Sequence, residues 1–254
     1  KAEEVPVVET GPLETPGSLE VYRQKALESR YPDAPTISVC CGPGCLARGA
    51  RQVADTFNLE LERNGNSSSA KVIERCTGCH GFCEMGPVVL IRPGDIFYAK
   101  VTPADVPAII SETIRSESWA KNLLYEDPET GKRIVREGDV PFYAKQLRQV
   151  LGPNREIDPY SIDDYIARGG YSALAKALFE MEPELVIEEV EKAGLRGRGG
   201  GGFPTASKWR AARKAHSIDG VKYVLCNADE GDPGAYMDRC LLEGNPHSVI
   251  EGML

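Results

Sequence analysis

The chain has 254 residues, 41% of them hydrophobic and 27% charged, with a formal net charge of −8. That length holds one large or two ordinary domains with sizeable cores, and the composition is that of a soluble globular protein. The acidic balance has the wrong sign for a phosphate backbone and excludes nucleic acid as the main partner. No apolar run reaches membrane-spanning length, and the opening KAEEVPVVETGP lacks the apolar h-region of a secretory signal. The expectation is a cytoplasmic protein that is not membrane-inserted. The first residue is not Met and EGML ends the sequence inside a helical pattern, so a piece of a longer chain is expected.

In chain order, residues 1–34 read as a Pro- and Glu-rich arm followed by a helix whose Leu19, Tyr22 and Leu27 share a face. Residues 35–118 read as a small α/β domain. A β-branched run, Thr36 to Cys41, is followed by a helix over Leu46 to Arg63 with Val53, Phe57 and Leu61 on one stripe. Ala70 to Cys76 is a second strand. Val88–Ile91 and Ile96–Val101 flank the hairpin signal Pro93-Gly94-Asp95. Thr102-Pro103 supplies an N-cap and a first-turn proline for a helix through Val106, Ile109 and Ile110. Residues 119–158, with turns at DPETGKR and GPNREIDP, form a connector that packs on its neighbours. In 159–254, Ser161 to Asp164 offers a capping box, and helical patterns follow over Tyr171–Phe179 and Pro183–Ala193. A glycine loop then leads to a helix from about Thr205 to Ala215. Lys222 to Cys226 (KYVLC) has a buried-strand pattern and runs into the acidic turn Asn227-Ala228-Asp229-Glu230-Gly231-Asp232-Pro233-Gly234.

Six of the eight cysteines fall between Cys40 and Cys83, while Cys226 and Cys240 stand alone. A secreted disulfide scaffold would be shorter and Cys-dense throughout, so the clustering points to metal ligation. Cys40-x4-Cys45 and Cys79-x3-Cys83 lie on two loops, each at the end of a strand. Four thiolates from two loops can enclose a metal centre. These spacings are wider than the Cys-x2-Cys knuckles of zinc ribbons and favour a 2Fe–2S cluster. The pairing Cys76-x2-Cys79 would suit zinc, and reduced structural cysteines remain open. His80 lies inside the second loop, where a hydrogen-bonding bystander is commoner than a ligand.

Gly194 to Trp209 reads GLRGRGGGGFPTASKW, and six of its first nine residues are glycine. Without a Cβ the backbone can approach a ligand, and consecutive N–H groups ahead of a helix N-terminus make an anion site. A glycine linker would seldom carry Arg, Phe and Trp in register. Gly197-x-Gly199-x-x-Gly202 matches the dinucleotide fingerprint, but ELVIEEVEKAG before it is helical, so the ordinary Rossmann reading fails. No Gly-Lys-Ser/Thr closes a Walker A loop. A phosphate cradle is what survives. The bland alternatives are that Lys208 and Arg210 form a solvated helix face, and that Asp229 and Asp232 cap a turn.

The cysteine pattern, with Cys-Thr-Gly-Cys-His-Gly-Phe-Cys-Glu-Met-Gly-Pro over Cys76 to Pro87, resembles the thioredoxin-like 2Fe–2S domain of respiratory complex I and its form fused to NAD-linked hydrogenase subunits. The resemblance maps the cluster ligands onto Cys40, Cys45, Cys79 and Cys83 and leaves Cys41 and Cys76 spare. The glycine loop followed by CNADEGDPGAYMDR resembles the flavin domain of complex I's NADH-oxidising subunit. GDPGAYMDR with LLEGNPHSVIEGM looks closest to the flavoprotein (beta) subunit of NAD-dependent, electron-bifurcating-type iron-only hydrogenases. The implied fold class is α/β: a thioredoxin-like 2Fe–2S ferredoxin domain, then the start of a Rossmann-like FMN-binding domain of the complex I flavoprotein type.

By the same resemblance the FMN phosphate and ribityl group lie against Gly197, Arg198, Gly199, Gly200 and Lys208. Asn227, Asp229 and Asp232 lie near the flavin ring and ribityl hydroxyls, Phe203 stacks on adenine, and Glu230 sits at the NADH entrance. This sequence departs from complex I in having Asp232 for Glu, and Ala211 where a second adenine-stacking aromatic is frequent. The implied activity is hydride exchange between NAD(H) and FMN, with single electrons passed to iron–sulfur clusters, including a 4Fe–4S centre farther downstream. No residue stands out as a catalytic acid or base. Implied partners are a hydrogenase-type catalytic subunit, a small 2Fe–2S subunit and ferredoxin. The alternatives are a formate dehydrogenase or other reductase complex, an NADPH-using enzyme, and a zinc-binding structural subunit.

Overall fold

The structure, a computed structural model, describes residues 12–31, 34–64, 72–116 and 118–254. Residues 1–11 of the expected N-terminal arm and the first two residues of the second expected strand lie outside these. In order the elements are α1 (Pro16–Arg30), β1 (Thr36–Cys40), α2 (Pro43–Leu46), α3 (Ala50–Asn64), β2 (Ile73–Thr77), β3 (Val89–Arg92), β4 (Ile96–Tyr98) and α4 (Val106–Ile109). A short hairpin of β5 (Tyr125–Glu126) and β6 (Arg133–Ile134) follows, then α5 (Pro141–Ala144), α6 (Ile162–Ala167), α7 (Ser172–Glu180), α8 (Pro183–Lys192), α9 (Thr205–Lys214), α10 (Met237–Gly244) and α11 (Pro246–Met253).

Four strands form one sheet in the order β2-β1-β3-β4, with β1 parallel to β2 and the other pairings antiparallel. The parallel pair needs a crossover, which α3 supplies. Val53, Ala54 and Phe57 of α3 are buried in one core with Ile37, Val39, Val89, Ile91 and Phe97 of the sheet. In register, Val39 lies opposite Cys76 and Cys40 opposite Thr77, so both strands deliver cysteines at the same sheet edge. The hairpin between β3 and β4 turns through Gly94 (φ 103°) and Asp95 (φ 50°), where the left-handed backbone favours glycine and tolerates Asp.

Residues of the expected connector pack on the sheet. Ala120, Leu124, Tyr125, Val140 and Tyr143 join the sheet's core, and Tyr143 meets Phe97 edge-on at 5.6 Å between centroids. Glu137, almost fully buried, is held by Arg148 at 3.1 Å and by Arg155. A second small core joins Leu19, Tyr22 and Ala26 of α1 to Ile166 and Ala167 of α6. Beside it Tyr22 donates to Asp163 at 2.5 Å, and Arg30 donates to the fully buried Asp164 at 2.5 Å. Buried Arg75 of β2 lies 3.8 Å from Asp164 and over the Tyr31 ring, which ties the α1–α6 pair to the sheet.

Three expectations need correction. The helix expected over Leu46–Arg63 is interrupted at 47–49, because Gly49 takes a left-handed conformation (φ 91°) that ends α2 before α3 begins. The helix after Thr102 opens as a 3-10 turn closed by a capping box, with Asp105 accepting from Thr102 N at 2.8 Å, and it ends as a π-helical stretch to Arg115. Lys222–Cys226 forms no strand. Tyr223, Val224 and Leu225 stay 76%, 67% and 87% exposed. A strand exists only by pairing, and among the described residues from 190 onward there are helices, loops and a single isolated bridge, Arg196 with Pro204. Among the described residues no helix is long and apolar enough to cross a membrane.

Glu74 of β2 gives the fold a pH dependence. Burial pushes its carboxyl up to about 7, with Asn58 donating to one oxygen at 3.0 Å and the other oxygen unpartnered. The folded state therefore binds a proton more tightly than the unfolded chain. This stabilisation is complete below the ordinary carboxyl range and is lost as pH rises through about 7, at up to about 1.4 kcal/mol for each pH step of one in that window. Glu74→Gln should flatten the decline and raise the denaturation midpoint at pH 8. Urea titrations at pH 5, 6.5 and 8 measure it, and an unchanged slope in the variant would refute the assignment.

Candidate functional site

The turn after β1 carries Cys45 on α2, and the turn after β2 carries Cys79 and Cys83. With Cys40 at the end of β1, four thiols come together, three of them buried and Cys83 half-buried. The four act on one another electrostatically: Cys45 and Cys79 push the Cys40 thiol up, and burial with Cys79 and Cys45 pushes Cys83 up. The thiols thus fall in two adjoining pairs, one from each loop. Among the described residues no three His, Cys, Asp or Glu side chains are arranged to hold one metal ion. Paired thiols suit a two-iron centre, in which each iron takes two of them.

The backbone around the sulfurs fits a cluster. A Cβ on Gly42 would fall 2.7 Å from the Cys79 Cβ, one on Gly44 3.0 Å from the Cys83 sulfur, and one on Gly86 2.7 Å from the Cys45 sulfur. Three glycines therefore clear the space that a side chain would fill. His80 N–H donates to the Cys40 sulfur at 3.4 Å, and Gly81 N–H to the Cys79 sulfur at 3.3 Å. Amide donors of this kind stabilise the charge on ligating sulfur.

Crowding separates the protons. The neighbouring Cys240 and Cys40 thiols pull the Cys79 thiol well down, while Cys45 and Cys79 push Cys40 up. Burial raises Cys83 to about 11. His80 is fully buried and burial holds it neutral, down to about 3, with its Nε2 on the Thr77 hydroxyl at 2.8 Å. It therefore reaches the cysteine loop through its backbone N–H, in keeping with a bystander. Cys41 and Cys76, the two spare cysteines, are joined in a disulfide with Cα atoms 5.5 Å apart.

Sequence reasoning missed a fifth cysteine at this centre. Cys240 on α10, 5% exposed, lies beside Cys79 and pulls its thiol down. It lines a cavity of about 470 Å³ together with Cys41, Cys76, Cys79, Arg51 and Arg239. A lone Cys in a helical pattern carries no spacing signal that could have revealed it.

The glycine loop closes on itself. Gly197 N donates to Phe203 O at 2.9 Å, Thr205 N to Leu195 O at 3.0 Å, and Arg196 Nη1 to Gly202 O at 3.1 Å. Nothing lies within 4 Å of where a Cβ would sit on Gly199, Gly200 or Gly201, so the loop's crest faces open space. Thr205 begins α9 directly after it, placing that helix N-terminus beside the loop. Lys208 Nζ lies 5.9 Å from the Phe203 ring centroid and 4.0 Å from where a Cβ on Gly197 would sit. Gly197, Phe203 and Lys208 therefore meet, while Arg198 stays exposed.

The acidic turn is folded separately. Asn227 Oδ1 accepts from Asp229 N at 3.1 Å, and Asp229 and Asp232 are exposed. Glu230, left-handed at φ 42°, accepts from Asp238 N at 2.8 Å and Arg239 N at 3.0 Å, which caps α10. Among the described residues no hydrogen bond or ion pair joins this turn to the glycine loop.

Comparison with known proteins shows which known domains these two segments match. Residues 25–114 match the model of the thioredoxin-like [2Fe-2S] ferredoxin, and residues 190–254 match that of the Nuo51 FMN-binding domain. The chain carries both domains. Over 111 residues it is 56% identical to the NADP-reducing hydrogenase subunit HndC of Solidesulfovibrio fructosivorans, covering 43% of this chain and 21% of that protein. Over 114 residues it is 50% identical to a subunit of the NADH-quinone oxidoreductase of Aquifex aeolicus (strain VF5), covering 44% and 26%. The chain thus spans about a quarter or less of these relatives. Among solved structures, the thioredoxin-like [2Fe-2S] ferredoxin from Aquifex aeolicus is 25% identical with a TM-score of 0.34, over 37% of this chain and 98% of that one.

The [2Fe-2S] ferredoxin domain therefore includes all four converging thiols, and the FMN-binding domain includes both the glycine loop and the acidic turn. If Cys40, Cys45, Cys79 and Cys83 are the ligands, replacing any one by Ala abolishes the reduced-cluster EPR signal of the reconstituted protein. Replacing Cys41 or Cys76 by Ala leaves it largely intact, and the reverse pattern would reassign the ligands.

Proposed function

We propose that this chain is the diaphorase part of a multi-subunit, NAD-linked redox complex of the hydrogenase type. The observation that carries the reading is a cysteine centre and a flavin-type loop in one chain, with α10 of the flavin-type segment packed on the cysteine loop. FMN, when bound, turns a two-electron hydride transfer into single electrons that a 2Fe–2S cluster can accept.

The chain's own residues bind and orient. Gly197, Gly199 and Gly200 present backbone to the flavin phosphate and ribityl group, and Arg198 and Lys208 supply positive charge beside the α9 N-terminus. The open space over Gly199 and Gly200 supports this assignment. Phe203 offers an exposed ring for the adenine of the nucleotide. Asn227, Asp229 and Asp232 are assigned to the flavin ring and ribityl hydroxyls, and Glu230 to the nucleotide entrance, where a carboxylate repels a 2′-phosphate. Cys40, Cys45, Cys79 and Cys83 hold the cluster. A 4Fe–4S centre belongs to the downstream part of such subunits.

The partners are a hydrogenase-type catalytic subunit, a small 2Fe–2S subunit and ferredoxin, and the complex is cytoplasmic. One observation favours a second reading for the nucleotide: the relative at 56% identity is named for NADP reduction. Steady-state rates with NADH and NADPH on the full-length holoprotein, using a viologen acceptor, discriminate between the two. NADH is expected to give the higher kcat/KM by at least about tenfold, an advantage of about 1.4 kcal/mol in transition-state binding. A preference for NADPH would move the assignment to the second reading. A colourless preparation with stoichiometric zinc would overturn both.

A further inference from the structure

Cys240 is held against the cysteine centre by backbone contact. A Cβ on Gly78 would sit 2.7 Å from the Cα and O of Gly244, and one on Gly244 would sit 2.8 Å from Asn154 Nδ2 and 3.4 Å from Cys79 N. At that approach the last turn of α10 lies directly on residues 78–79. Fully buried Asn154 adds a third anchor by donating to Cys240 O at 3.4 Å. The other end of α10 is fixed by Glu230 through the N–H groups of Asp238 and Arg239. A helix pinned at both ends leaves the Cys240 side chain one place to go, the buried wall of the cavity beside Cys79.

The geometry points to Cys240 as a positioning residue whose S–H donates to the sulfur of Cys79 and sets the reduction potential of the cluster that the four thiols hold. The inference rests on the reading of Cys79 as a cluster ligand. A donor on a ligating thiolate withdraws charge from the iron and stabilises the reduced, more negative state, so it raises the potential. The Cys79 loop then receives donors from both sides, the Gly81 N–H of its own loop and the thiol of α10. The second donor comes from the FMN-binding segment. Any movement of α10 or of the Glu230 turn that caps it changes the hydrogen bond, so the structure of the flavin half is felt at the cluster.

The test is an EPR-monitored redox titration of the full-length holoprotein as wild type, Cys240→Ala and Cys240→Ser. Cys240→Ala is expected to keep the 2Fe–2S signal and lower the midpoint, so that the reduced-to-oxidised ratio at a fixed poise falls by about tenfold, about 59 mV for a one-electron couple. Cys240→Ser keeps a hydroxyl donor and should recover most of the shift, which a purely packing role would not do. A midpoint unchanged in Cys240→Ala overturns the inference. So does loss of the cluster signal in Cys240→Ala with retention in Cys83→Ala, which would make Cys240 a ligand instead. A wild-type protein that assembles no 2Fe–2S cluster overturns the underlying ligand reading, and is told apart from the other failures by the wild-type spectrum alone.

Discussion

The parallel pairing of β1 with β2 is the constraint from which the rest of the structure follows. Parallel strands end at the same edge of a sheet, whereas an antiparallel pair would carry the two cysteine loops to opposite ends. With Val39 opposite Cys76 and Cys40 opposite Thr77, the turns leaving both strands begin side by side. The register is held by burial. Ile37 and Val39 face a core closed by Val53 and Phe57 of α3, and a slip of one residue would turn that apolar set to the other face. The cysteine centre therefore draws its precision from the hydrophobic core that Cys40 and Cys45 themselves join.

The second dependence is on absent side chains. Gly42, Gly44 and Gly86 give up the Cβ positions that would crowd three of the sulfurs, and Gly78 with Gly244 gives up those that would separate α10 from the Cys79 loop. The first three shape the space around the thiols, and the last two set how closely the flavin-type segment approaches them. Larger residues would gain propensity in the helix but would lose this contact. Local preference yields here to tertiary geometry.

Much of this was legible in the sequence, for identifiable reasons. Two β-branched runs each ending in cysteines, separated by an amphipathic helix, encode a βαβ unit with thiols at one edge, and the structure has that arrangement. The Pro93-Gly94-Asp95 turn, the Ser161 cap and the start of α9 at Thr205 were readable because local chemistry decides them. Cys240 was not readable, since its place depends on two glycines and an asparagine far apart in the chain that meet only in three dimensions. KYVLC misled in the opposite sense. Its composition describes a strand, but pairing is a property of neighbours, and among the described residues no edge is presented to it.

The two halves therefore reach their chemistry by different physical routes. The thiols are fixed by a buried sheet, amide donors and close glycine contacts. The glycine loop is held by the bonds of Gly197 to Phe203, of Thr205 to Leu195 and of Arg196 to Gly202, while Gly200 and Gly202 keep left-handed conformations that residues with a Cβ would resist. An exposed, backbone-lined crest beside a helix N-terminus can close around an anionic group without displacing a packed side chain. That is how a loop binds a large cofactor. The α10 helix spans this difference in packing. Its N-terminus is capped from the exposed acidic turn by Glu230, and its C-terminal turn is locked by Gly244 against the buried cysteine loop.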